Sequence, residues 1–217
     1  MWPLKNKGFT LVEVLISAAI LALIVSMLYA AFASSVKTME IGAEGGEVYR
    51  KAGVVLNRMA QEISCAQLPS EQGDTGAQYA FIGEDKTEED VPQDTLTFIS
   101  TAQPLKGPLL GVKRVGYYIA PDSETDKPCL FMKEDTTPDL SNSTAQAGKG
   151  MLLAEGIAGL DFTYSDSQGK EFQRWDTTSP LFANKLPQLV RITIFFKDKG
   201  GKLLSLTTTV QIPIAGD

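Results

Sequence analysis

Residues 9–33 read FTLVEVLISAAILALIVSMLYAAFA, an apolar stretch whose only charge is Glu13. At about 1.5 Å per helical residue it is long enough to cross a hydrocarbon core of about 30 Å. A carboxylate inside such a segment costs on the order of 2.5–3.5 kcal/mol on insertion scales. A passive anchor gains nothing from it, so Glu13 calls for a cationic partner.

Ahead of this run stands MWPLKNKG, a leader of residues 1–8 with Lys5 and Lys7 that ends at Gly8. A positive flank stays on the cytoplasmic side, which puts the chain beyond Ala33 across the membrane. Signal-peptidase cleavage after Ala31-Phe32-Ala33 is the competing reading. The length of the apolar run and the acid near its start count against it.

A chain of 217 residues has room for this helix and one globular domain with a real core. Its net charge of -6 argues against nucleic acid as a partner. It has no histidine, which removes Ser-His-Asp and Cys-His nucleophiles and most zinc sites. No cofactor and no metal site is implied. Cys65 and Cys129 suit an exported protein and form a candidate disulfide, although two small buried thiols fit equally well.

Further along, Val48, Ala52, Val55, Leu56, Met59 and Ile63 recur at three- and four-residue spacing. Arg50, Lys51, Asn57, Arg58, Gln61 and Glu62 fall between them. The pattern predicts an amphipathic helix over 34–68, stopped by Leu68-Pro69, with its apolar stripe on a sheet. Gly42-Ala-Glu-Gly-Gly46 inside it predicts a kink or joint, since each such glycine costs about 1 kcal/mol against alanine. Residues 69–93 read as polar and turn-rich. The acids of 84–90 suggest calcium ligation or, more commonly, a solvated loop; EF-hand spacing is absent. Strands are predicted at 94–101, 112–120 and 128–135, the last two as a hairpin. More follow in LDFTYSD, EFQRWD, LVRITIFF and KLLSLTTTVQIPI, with a loop at 136–150. A helix followed by strands without βαβ alternation means α+β with mostly antiparallel pairing, the head occupying 69–217.

The string Lys7-Gly8-Phe9-Thr10-Leu11-Val12-Glu13 resembles the prepilin motif of type IV pilins and type II secretion pseudopilins. The resemblance implies a pilin-like fold, in which a long N-terminal helix packs on the sheet of the head. It also implies cleavage between Gly8 and Phe9 by a membrane prepilin peptidase and N-methylation of Phe9. Glu13 would then meet the amino terminus of a neighbouring subunit, which offsets its desolvation. Leu152, Leu153, Gly156, Phe162, Tyr164, Trp175, Leu186, Pro187, Val190 and Ile192 resemble the C-terminal pattern of the J-type minor pseudopilins. That family implies an inner-membrane protein with a periplasmic head, joined to I- and K-type subunits at the tip of a short pseudopilus. Extension of that filament drives folded exoproteins through the outer membrane. Val48, Val55 and Met59 would lie on a face shared by the protein's own sheet and neighbouring helices.

Two other readings compete. A minor type IV pilin for pili, motility or DNA uptake would carry the same N-terminus. A membrane-anchored periplasmic enzyme would need paired carboxylates, for which Asp161, Asp166, Glu171 and Asp176 are the candidates. Direct binding of a secreted exoprotein along a strand edge is a further role for the head.

Overall fold

A computed structural model describes residues 10–68, 80–104, 112–123, 125–135, 150–197 and 201–213, without the side chains of 34–48. Two compact units make up the chain, Met1–Val48 and Tyr49–Asp217. Helix α1, Leu11–Ser64, contributes its first part to one and its last part to the other. Its helical backbone includes 42–46, where the joint was expected.

The helix stops at Ser64, short of the expected 68. Cys65 N–H closes the last turn onto the Glu62 carbonyl (3.2 Å), and Ala66–Gln67 then pair as strand β1. Twelve further strands follow: β2 (Ile82–Glu84), β3 (Thr87–Glu88), β4 (Val91–Pro92), β5 (Thr95–Ser100), β6 (Lys113–Pro121) and β7 (Pro128–Asp135). Beyond these come β8 (Met151–Glu155), β9 (Ile157–Ser165), β10 (Glu171–Phe172), β11 (Trp175–Asp176), β12 (Leu189–Lys197) and β13 (Leu203–Gln211). One sheet runs β11-β2-β5-β6-β7-β8, with β1 also on β5; the second runs β10-β9-β12-β13, and β3–β4 is a small hairpin. All these ladders are antiparallel, as expected of an α+β chain. The predicted β6–β7 hairpin forms, from Arg114↔Asp135 to Pro121↔Pro128.

Alternation along the strands decides what is buried. On β12 the buried residues are Val190, Ile192, Ile194 and Phe196; on β5 they include Leu96 and Phe98. They share one core with Ala52, Val55, Leu56, Met59 and Ile63 of α1, the stripe read from the spacing. Burying each of the four larger helix side chains contributes about 1.5–3 kcal/mol. Tyr49 sets its ring edge-on to Phe196 at 5.2 Å.

Two places where the chain changes sheets depart from the sequence reading. Gly156 stands between β8 of the first sheet and β9 of the second with φ of 75°, a corner that a residue with a Cβ rarely adopts. The expected strand EFQRWD is likewise split: Phe172 pairs with Tyr164 of β9, whereas Trp175 pairs with Gly83 of β2. Trp175 is held there by a stacked Phe182 at 4.0 Å and by its own Nε1–H on the Lys185 carbonyl (2.8 Å). Gly83 is required at that site, because a Cβ there would stand 2.0 Å from the Tyr164 hydroxyl. The turn-rich reading of 69–93 is also corrected: β2, β3 and β4 lie within it, too short to show alternation.

Candidate functional site

At the membrane-anchor end, Thr10 and Glu13 form a reciprocal helix cap. Glu13 Oε2 accepts both the Thr10 backbone N–H and its hydroxyl at 3.0 Å, and Glu13 N–H donates to Thr10 Oγ1 at 3.3 Å. A threonine followed three residues later by glutamate closes orphan N–H groups in this way. The carboxylate also sits where the helix dipole favours negative charge. Both bonds use Oε2, and no described residue bonds Oε1. The following span, Leu11–Ala33, has a mean hydropathy of 2.6 and none of it is buried by the chain itself. Such a surface needs lipid or other apolar helices to cover it. Gly8 and Phe9 lie outside the described residues.

At the other end of α1, a buried ionic network ties helix to sheet. Glu62 and Lys113 are both wholly buried. Lys113 Nζ donates to Glu62 Oε1 (2.8 Å), Glu134 Oε2 (2.8 Å) and the Gln103 carbonyl (3.2 Å), satisfying all three of its protons. Arg58 also donates to Glu62, and reaches the Gln103 carbonyl at 2.9 Å. Ser100 Oγ donates to the Glu62 main-chain carbonyl at 2.9 Å. The spacing had placed Arg58 and Glu62 on the polar face. Glu62 is instead wholly buried and Arg58 only partly exposed, in a network where two acids and two bases cancel.

Three of the four candidate carboxylates are held by local partners. Asp166 caps a turn through the N–H groups of Gln168 and Lys170, both at 2.9 Å. Asp176 does so through Thr178 N–H at 2.8 Å. Glu171 pairs with Arg191 at 2.5 Å, and Asp161 lies half-buried on β9. Cys65 and Cys129 are free thiols, which corrects the candidate disulfide. Cys65 accepts the Thr101 N–H beside the Ser100 end of β5, which is paired with Lys113; Cys129 is paired with Ala120 near the opposite end of β6. That is roughly 20 Å at about 3.3 Å per residue, against the 7 Å limit for a bridge. In the acidic segment, Glu89 and Asp90 form the tip of the β3–β4 hairpin with φ of 48° and 63°.

One buried acid was not foreseen. Asp94 is 2% exposed and joins the two sheets, accepting Phe162 N–H on Oδ2 (2.8 Å) and Lys86 N–H on Oδ1 (3.0 Å). Burial pushes its carboxyl up to about 6, outweighing those two donors, and the Asp161 and Asp85 charges add to the rise. The folded state therefore binds the Asp94 proton more tightly than the unfolded chain does. Its contribution is fully present below about pH 4 and is lost as pH rises through about 6. We expect Tm of the parent relative to Asp94→Asn to rise as pH is lowered from 7 to 4.5. Parallel Tm curves across that window would show that Asp94 does not titrate there.

Against known proteins, residues 3–29 match the prokaryotic N-terminal methylation motif. Residues 30–202 match the family described as type II secretion system (T2SS), protein J. Among solved structures, the chain is similar to the type IV-like pilin TTHA1219 from Thermus thermophilus. The two share 8% identity over 77% of this chain and 97% of that one, with a TM-score of 0.48. No curated protein matches the sequence.

Proposed function

Because the chain belongs to the type II secretion system protein J family, and is therefore a minor pseudopilin, we propose that it acts at the tip of the pseudopilus with the I- and K-type subunits. In this reading the leader is removed between Gly8 and Phe9 by the prepilin peptidase, and the new Phe9 amino group is methylated. The N-terminus starts in the cytoplasm, residues 9–33 sit in the inner membrane, and the head is periplasmic. The tip complex primes filament assembly, and extension then exports folded exoproteins. The role is structural, without catalysis. The observation that carries this reading is the junction of a methylation motif over 3–29 with the protein J match from residue 30.

Within the membrane, Glu13 supplies the assembly contact. Its Oε2 is committed to the Thr10 cap, and Oε1 receives an ammonium from a neighbouring subunit. Pairing in a low-dielectric bundle offsets the desolvation of both charges. The glycines of 42–46 serve as a joint that lets the head tilt during assembly.

The test compares the parent with Glu13→Ala and Glu13→Gln purified from membranes. All three should insert and begin at Phe9 with one added methyl by intact mass. Glutamine keeps the cap geometry but not the charge. Both variants should recover the I- and K-type subunits at least about tenfold less well, equivalent to about 1.4 kcal/mol. Normal recovery with glutamine would reduce Glu13 to a helix cap, and a parent chain that retains Met1 would remove the processing step.

A further inference from the structure

Strands β2 and β5 pair from Ile82↔Thr97 to Glu84↔Thr95, and residues 85–94 between them form an arm. Its outer part is the β3–β4 hairpin, with Glu89 and Asp90 at the tip. The arm reaches over to β9 of the second sheet. Gln93 bridges Leu160 in parallel, and Asp94 N–H donates to the Leu160 carbonyl at 2.9 Å. The Asp94 carboxylate binds on both sides, accepting Phe162 N–H of β9 (2.8 Å) and Lys86 N–H at the base of the arm (3.0 Å). Val91 and Pro92 rest on Gly159, where a Cβ would stand 2.5 Å from Val91 Cγ1 and 2.7 Å from the Pro92 carbonyl oxygen. Beyond these contacts the arm buries little, since residues 85–90 are all exposed. Few apolar contacts mark a segment that opens locally.

We propose that this arm is a pH-dependent strap, latched on β9 while Asp94 is protonated and loosened as that carboxyl ionises. The charges around the latch set the direction. Asp161 of β9 and Asp85 at the base of the arm both oppose ionisation of Asp94, and burial opposes it more strongly still. The nearby cations are engaged elsewhere: Lys86 pairs with Glu84 of β2, and Arg191 of β12 with Glu171 of β10, each at 2.5 Å. Tyr164 of β9 is wholly buried and stays neutral. Glu88, Glu89 and Asp90, at and beside the tip, are exposed and add only negative charge. An ionised Asp94 therefore adds a third acid between arm and sheet, and lifting the arm returns it to water. Lifting also frees the Leu160 carbonyl and the Phe162 N–H, on the edge of β9 that β10 leaves open beyond Tyr164. The strap thus decides when that edge is available for pairing.

The test is hydrogen exchange by mass spectrometry on the full chain in detergent micelles, corrected for the pH dependence of free amides. Peptides covering 85–94 should be less protected than those of β12, which report global unfolding. Opening of the arm should increase about tenfold from pH 5 to pH 7, as a carboxyl near 6 in the latch returns to its ordinary value in the open arm. Asp94→Asn should abolish that rise. Asp161→Asn keeps Asp94 and removes a like charge, so the rise should shrink and finish at lower pH. Protection of 85–94 equal to that of β12 at every pH would mean that no local strap exists. A parent whose protection does not change with pH, or an unchanged rise in either variant, would overturn the latch.

Discussion

Replacing Lys113 with methionine lowers the unfolding free energy of the Tyr49–Asp217 unit by about 3–5 kcal/mol, the range for removing one partner of a buried ion pair. The stem of the side chain is conserved in volume, so the loss comes from charge. Glu62 is wholly buried and Glu134 is 13% exposed, and each loses its 2.8 Å ammonium contact. Arg58 remains on Glu62 but faces two acids alone. Unfolding followed by Trp175 fluorescence is a direct readout, since the chain's other tryptophan, Trp2, lies outside the Tyr49–Asp217 unit. The triple replacement Lys113→Met, Glu62→Leu, Glu134→Leu should recover most of the loss, because apolar groups of similar volume often replace buried ion networks without cost. A single variant as stable as the parent would mean that water solvates the site.

Why the sequence does not announce this network is a matter of distance and sign. Glu62, Lys113 and Glu134 lie on α1, β6 and β7, and in each element the charge reads as the end of an apolar pattern turned toward water. The registers that set Ser100 against Lys113 and Val115 against Glu134 bring them together. Asp94 escaped for the same reason: its donors are backbone N–H groups, which every residue but proline carries. The anchor, by contrast, was legible because lipid leaves few options for a run of twenty-five residues whose only charge is one acid. The long strands were legible through their period of two. What failed were the two-residue strands and the switches between sheets, where a corner at Gly156 or the burial of Trp175 outweighs local preference. Of the family-like residues, Phe162, Tyr164, Trp175, Val190 and Ile192 are indeed core, but Leu152 is 40% exposed.

Adjacent valines on α1 give the sharpest test of the helix reading. Val55 is 6% exposed within the core, whereas Val54 is 63% exposed. Val55→Asp removes an aliphatic group and leaves a carboxylate among Leu56, Met59 and the inner faces of the sheets. An uncompensated buried charge costs about 3–5 kcal/mol, and the lost apolar transfer adds to it. Arg58, one turn away, offers no rescue, because Glu62 and the Gln103 carbonyl already hold it. Against a total stability of about 5–15 kcal/mol, the variant should be largely unfolded near 37 °C. Val54→Asp should stay within about 0.5 kcal/mol of the parent. Similar unfolding midpoints for the two variants would mean that the stripe read from three- and four-residue spacing does not face the sheets. The helix would then be joined to the head by its ionic contacts alone, and the Lys113 variant would be expected to detach it.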